Sequence, residues 1–575
     1  MLRAAANPFP AKRHWKRDSR FPVVVSVAVV RLESCWGEIQ MRKLLFATLA
    51  FVVVATLASA QTYTVLYNFE SHQGDPAGPS GILVQGPDGD LYGTSSFAGS
   101  TPVDAFRFTP SGALTVLHPF SASGDPPGGV TLGTDGRFYG VITDSDTASN
   151  GAVFKLTAGG NLTTLYSFTD GTDGRNPLAP PIEGIDGNFY GTTSEGGSGI
   201  CFSGCGALYK ITPSGTASAL HTFNGTDGAS PHAPLVQGTD GNFYGTTYTG
   251  GYKGNGTIFR VSPSGKFLPL FNFHGTNGSN PEAGLVQGSD GAFYGTADNG
   301  GAYNAGVVFK LAHGSFTVLH NFTGGSDGIG PVGGLMQATD GNLYGTTFAG
   351  TCGDGTIFRI IPSGDFATLY SLPSDGSLGC EPDSTLVQHT NGLLYGTTVA
   401  GGSVNGGTFF SFDVGLGPFV TFVPAARQVG QTVEILGQGL TGTTAVSFNG
   451  TPATTFNALS DTFLVAIVPN GATGGLIKVT TPGGVLTSNK QFQVKPQITG
   501  FTPTSGPAGT SVVITGVSLS QTSKITFSSV VATSFTVNSD KRVTVTVPAG
   551  ATTARIGITT TGAPVYSPSQ FTVTQ

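Results

Sequence analysis

Seven positions along this chain share one setting and differ in chemistry. Each follows a recurrent proline, and they read Ala77, Pro127, Leu178, His232, Glu282, Val332 and Asp383. A constant frame with a changing occupant is how a scaffold places specificity. The polar members His232, Glu282 and Asp383 are therefore expected to line a ligand site, against the plainer reading of solvated loop residues. Glu195, Glu282, Glu381 and Asp383 fall on loops expected to share one face. Two carboxylates roughly 5–9 Å apart could bind a sugar or cleave a glycosidic bond. No G-x-S-x-G elbow, P-loop, dinucleotide fingerprint or H-E-x-x-H occurs, so no catalytic residue is assigned.

Two further sets of side chains could do chemistry. The loops Asp170-Gly171-Thr172-Asp173-Gly174 and Asn224-Gly225-Thr226-Asp227-Gly228 cluster oxygen donors with glycine. Asp170, Asp173 and Asp227 are weak calcium candidates. They lack the spacing and closing glutamate of an EF-hand, and turns capped by their own side chains fit better. No other cofactor is implied. Beyond Cys35 there are four cysteines, an even number that suggests disulfides in an exported chain. Cys201 and Cys205 would pair within one loop, and Cys352 would pair with Cys380 on a neighbouring one. A four-cysteine zinc site would need two tight pairs, and Cys352 and Cys380 are too far apart for that.

The elements that position these residues are repeats. The phrase Asp-Gly-x-aromatic/Leu-Tyr-Gly-Thr recurs, with its tyrosines at 92, 139, 190, 244, 294, 344 and 395, spaced by 47, 51, 54, 50, 50 and 51 residues. The prolines Pro76, Pro126, Pro177, Pro231, Pro281, Pro331 and Pro382 keep step. Each period reads as four short strands. In the fifth these are Gly284–Gln287, Phe293–Thr296, Val307–Leu311 and Phe316–Phe322, with Asp290-Gly291 supplying positive φ for the first turn. Residues 62–69 read as a fourth strand with no predecessors, and the seventh repeat lacks one. The N-terminal strand should complete the last sheet and remove the open edge. The expected fold is all-β, a seven-bladed β-propeller over 61–415. Within it the recurring Tyr, Gly and Asp are structural.

These phrases resemble the GloVer tandem repeat of secreted bacterial proteins, over roughly 62–412. The second repeat departs most, with Val141 where Thr is expected. The resemblance supports the architecture and implies no activity. After Gly415-Leu416-Gly417-Pro418 the composition shifts. Pro496-Gln497-Ile498-Thr499-Gly500-Phe501-Thr502-Pro503, with Gly506, Gly509, Val512, Ile514, Gly516 and Leu519, resembles an IPT/TIG domain, which implies an immunoglobulin-like β-sandwich. Gly430, Val433, Ile435, Gly437 and Leu440 echo it one unit earlier. Two such domains are expected, over 416–494 and 495–575, acting as spacers.

The location is also written in the chain. Met41-Arg42-Lys43, an apolar run from Leu44 to Ala58 and Ala58-Ser59-Ala60 form a signal peptide over 41–60, with 1–40 a leader upstream of the true start. The run is short for a span, which takes about 20 residues, so no membrane segment or C-terminal anchor is expected. Residues beyond 60 hold 18 basic and 30 acidic side chains, a net charge of −12 that excludes a nucleic-acid partner. The expectation is a monomer on the surface of, or secreted from, a bacterium. It would be a non-catalytic recognition or scaffold protein for an extracellular polysaccharide or cell-surface glycan. The alternatives are a propeller-type glycan hydrolase or lyase, and an adhesion protein with protein partners.

Overall fold

The computed structural model describes residues 61–95, 103–120, 128–143, 150–349, 355–560 and 563–575. Every described element is a β-strand. The repeats fold as seven four-stranded antiparallel sheets. In the fifth repeat the strands are Val286–Gln287, Phe293–Ala297, Val307–Ala312 and Ser315–Asn321. In the seventh, Thr62–Asn68 pairs with Thr408–Asp413 and supplies the missing strand, as expected from the N-terminal sequence.

Each residue of the repeated phrase has a physical task. The tyrosine hydroxyl donates to the aspartate four residues earlier: Tyr92 to Asp88 at 2.6 Å, Tyr190 to Asp186 at 2.7 Å and Tyr294 to Asp290 at 2.7 Å. In the seventh repeat Asn391 stands in for the aspartate and its amide donates to Tyr395. The tyrosine ring lies on the aromatic that precedes the next repeat's tyrosine. Tyr92 stacks on Phe138, Tyr139 on Phe189, Tyr190 on Phe243 and Tyr244 on Phe293, with centroids 3.9–4.0 Å apart. Such pairs are worth about 0.5–1.5 kcal/mol beyond the area they bury. The glycine clears space for the third strand, since a Cβ on Gly295 would stand 2.6 Å from the Phe309 ring. The threonine reaches into the next repeat: Thr246 donates to the Ala283 carbonyl and Thr296 to that of Gly333. Val141 has no hydroxyl with which to do this.

A second link joins neighbouring sheets. The side-chain oxygen of a Gln or Glu ending each first strand accepts the turn N–H of the preceding repeat. Glu183 serves Thr134, Gln237 serves Ile185, Gln287 serves Thr239, Gln337 serves Ser289 and Gln388 serves Thr339. Gln85 of the first repeat serves Thr390 of the seventh, which joins the two ends of the series. The exception carries its own reason. The first repeat has Pro87 at the donor position, with no N–H to give, and the second repeat has Leu132 where the acceptor would be.

Two sequence expectations need correction. Only Gly291 of the Asp290-Gly291 pair has positive φ, at 81°. Asp290 caps the turn through its side chain, which accepts the Ala292 N–H at 3.1 Å. The first strand is also shorter than expected, with only Val286 and Gln287 in the ladder. Ahead of them the chain is held by hydroxyls from the neighbouring repeat instead of by a strand.

Beyond residue 418, two pairs of four- or five-stranded sheets each enclose a core, and the first pair is joined by a two-stranded parallel sheet of Ala426–Gln428 and Gln493–Lys495. One core holds Phe422, Ile435, Phe448, Leu464, Ile477 and Phe492. The other holds Ile514, Phe527, Val543, Ile556, Ile558 and Phe571. The turn at Ser528 forms despite losing Asn-Gly, with Ser528 at φ 56° in the place of Asn449 at 46°. The first pair rests on turns of the repeats: Thr462 donates to the Pro87 carbonyl, Gln438 to Thr390 and Lys495 to the Ile185 carbonyl.

Tyr209 is fully buried, and its hydroxyl has no hydrogen-bond partner among the described residues. Phenylalanine fills that place in the other repeats, as at Phe259 and Phe309. An orphaned buried hydroxyl costs about 1–3 kcal/mol. Tyr209→Phe is therefore expected to stabilise the fold by about 1 kcal/mol, read from the urea midpoint. A loss of stability would count against the orphan.

Candidate functional site

The starts of the first strands converge on one cavity of about 230 Å³, lined by residues of every repeat. Among them are Ile82, Gly128, Leu178, Val332 and the three polar candidates His232, Glu282 and Asp383. In the first repeat the equivalent proline is Pro79, not Pro76: Pro79 packs on Gly407 as Pro281 packs on Gly256 and Pro331 on Gly306. Ala77 is therefore out of register with the others. It is buried and does not line the cavity.

His232 is fixed from three sides. Its ring lies flat on Tyr248, centroids 4.4 Å apart and 10° between planes. Its Nε2 is 3.2 Å from the Ser230 hydroxyl, and its Nδ1 is 3.9 Å from a Glu282 oxygen. Asp383 keeps a partly accessible surface, yet its Oδ1 is sealed and has no hydrogen-bond partner. Burial, helped by the nearby charges of Glu282 and Glu381, pushes its carboxyl up to about 7. Burial and then Glu282 likewise raise the Asp298 carboxyl. Burial, Glu282 and Asp298 together raise the Tyr248 hydroxyl. The lining contains no lysine or arginine. At the cavity the His232 ring, backed by Tyr248, thus stands with the carboxyls of Glu282 and Asp383. That set can accept hydrogen bonds from hydroxyl or amino groups, and protonated Asp383 can donate one.

Tyr248 and Asp298 were not anticipated. They follow the Tyr-Gly-Thr phrase of the fourth and fifth repeats, where the third, sixth and seventh carry Ser194, Phe348 and Val399. The clue available was the same one used after the proline, a changing residue on a constant frame.

The other candidates lie elsewhere. Glu195 is bound 3.0 Å from Arg175, which also approaches Asp170 at 3.5 Å. Asp173 accepts from the Tyr166 and Thr169 hydroxyls and from the N–H groups of Thr169 and Gly171. Asp227 accepts from the Asn224 N–H and side chain and lies 2.9 Å from His221. These oxygens serve turns of their own loops. Among the described residues, no three His, Cys, Asp or Glu are grouped to hold a metal ion. Cys201 and Cys205 form a disulfide. Cys380 backs onto Ala400, its N–H donating to that carbonyl at 2.8 Å, while Cys352 lies outside the described residues. Residues 1–60, where a leader and signal peptide are expected, lie outside them too.

Asp383 ties stability to pH. Its pKa is raised in the fold, so the folded chain keeps a proton that the unfolded chain releases from about pH 4 upward. Its contribution to stability falls as pH rises through that window to about 7, because the unfolded state binds fewer protons there. Asp383→Asn is expected to raise the melting temperature relative to the unaltered chain at pH 8, and to raise it much less at pH 4. The opposite ordering would contradict the burial of this carboxyl.

No curated protein matches this chain in sequence. Among solved structures, it is similar to a fungal alcohol oxidase of the AA5 family in complex with copper, at 14% identity and TM-score 0.43, over 76% of this chain and 100% of that one. A puromycin-hydrolyzing peptidase of Mycobacterium tuberculosis follows at 10% and 0.36, over 57% and 50%. A surface glycan-binding protein of Prevotella bryantii matches at 18% and 0.20, over 27% and 41%. Resemblances this distant carry nothing about chemistry. The family models are more informative: residues 496–573 match the IPT/TIG domain. Residues 126–352 and 314–527 match the Gloeobacter/Verrucomicrobia repeat, and the chain belongs to that family.

Proposed function

We propose that this is an exported, non-catalytic recognition protein that binds a polysaccharide or cell-surface glycan at the central cavity. The seven sheets would be the blades of one closed propeller over 61–415, and 416–494 and 495–575 would be two immunoglobulin-like sandwiches. The observation that carries the binding reading is the group of His232, stacked on Tyr248, with Glu282 and the unpartnered oxygen of Asp383. Sugars present flat faces of C–H groups edged by hydroxyls, and this group offers an aromatic plane bordered by acceptors. The acidic surround favours neutral or amino sugars and repels uronates and sulfated chains. The first sandwich touches hairpin turns, at the far ends of the second strands from the cavity, so it leaves the mouth uncovered.

One observation favours a second reading. A buried carboxyl held near neutrality, as Asp383 is, with Glu282 and Glu381 nearby, has the character of a glycosidase acid. The same experiment weighs both. The mature chain would be titrated against neutral, amino-sugar and uronate oligosaccharides, with reducing-end release followed in parallel. Binding without release is expected, strongest for neutral or amino sugars. His232→Ala, Glu282→Gln and Asp383→Asn should each weaken it about tenfold, the worth of one charge-assisted hydrogen bond. Unchanged affinity in all three would end the cavity reading, and release lost in Asp383→Asn would establish the enzyme.

A further inference from the structure

The loops that join second and third strands carry a second feature. In three consecutive repeats they push an aromatic side chain into solvent: Phe202 fully exposed, Tyr252 at 83% and Tyr303 at 64%. Ile200 beside Phe202 is 88% exposed, and Val404 of the seventh repeat 49%. Single exposed apolar side chains are common on protein surfaces, but these three aromatic rings recur on the same inter-strand loop of consecutive repeats.

These tips are held in place. The backbone N–H of Tyr252 donates to Asn272 at 3.0 Å, that of Ala302 to Asn321 at 2.9 Å and that of Ser403 to Asn68 at 2.8 Å. In each case the asparagine ends the fourth strand of the same sheet. The third repeat has Thr222 at this place. There the Thr222 hydroxyl meets only Ser198, and the Cys201–Cys205 disulfide closes the tip instead. In that loop the tie runs between two hydroxyls instead of from a backbone N–H to an asparagine, and the disulfide adds a cross-link.

The tips are continuous with the cavity. The loop ending in Tyr252 begins at Tyr248, the residue beneath His232. The loop bearing Tyr303 begins at Asp298, whose carboxyl is raised by burial and then by the nearby charge of Glu282. The loop tips and the cavity therefore lie on the same face of the sheets. Each ring stands on its own loop among polar neighbours, and Lys253 covers one face of Tyr252, with Nζ 4.9 Å from the centroid. Protein interfaces need a joined apolar core. Separate rings with one face open suit single sugar units.

Resting on the glycan reading of the cavity, we infer that Phe202, Tyr252 and Tyr303 are stacking platforms for successive units of one polysaccharide chain held at the mouth. The ligand is then a polymer, and affinity depends on its length. The test compares the unaltered chain with Phe202→Ala/Tyr252→Ala/Tyr303→Ala and with Tyr252→Phe/Tyr303→Phe. Calorimetry would use the di- to octasaccharides of a neutral β-glucan and of chitosan, with light scattering and thermal melting alongside. The unaltered chain should gain affinity with length. The alanine variant should keep its disaccharide affinity and lose about tenfold or more on the octasaccharide. The phenylalanine variant, which keeps the rings, should retain the gain. A length dependence that survives in the alanine variant, or is absent from the unaltered chain, overturns the inference and leaves the cavity reading standing. So does a change confined to self-association. Failure of the unaltered chain to bind either series overturns both. If the triple variant does not melt cooperatively, the three single variants answer the same question.

Discussion

Everything in the repeated part of this molecule depends on the tyrosine of each repeat being held at both ends. Its hydroxyl is tied to the aspartate of its own turn, and its ring lies on the next repeat's aromatic or leucine. One side chain therefore fixes the turn within a sheet and the spacing between sheets. The neighbouring threonine and the glutamine at the strand end add hydrogen bonds across the same junction. Burial supplies most of the energy, because apolar area and stacking do not need exact geometry. The hydrogen bonds supply register, because unpaired polar groups at a buried junction would be costly.

That frame explains why the site can vary. Strand starts and loop roots project from a junction that is already satisfied without them, so they are free to change from repeat to repeat. The cavity gathers one such position from each repeat, and its character follows from what stands there: Leu178 and Val332 on one hand, His232, Glu282 and Asp383 on the other. Exceptions to the frame come in matched pairs. Pro87 lacks an N–H and faces Leu132, which has no acceptor. Thr222 ties its loop through a hydroxyl pair with Ser198 where asparagine stands elsewhere, and a disulfide appears there. Losing one partner alone would leave an unmet donor or a loose loop.

Much of this was legible in the sequence. The period, the four strands, the completing strand at Thr62–Asn68, the local Cys201–Cys205 pair and the placement of His232, Glu282 and Asp383 on a common face all follow from spacing and turn chemistry. The register of the first repeat did not, since Pro76 and Pro79 both fit the pattern and only packing on Gly407 separates them. Nor did Tyr248 and Asp298, whose importance lies in what they touch.

The sequence by itself determined the periodic frame, because strand alternation, glycine turns and the Asp–Tyr interval are local and repeat in one dimension. Tertiary structure alone decided which unlike residues meet. His232 comes to lie on Tyr248 and near Glu282, and one oxygen of Asp383 comes to be sealed near the charges of Glu282 and Glu381. Proton affinity and stacking depend on distance and burial, which are set only when residues 150 positions apart are brought to one cavity.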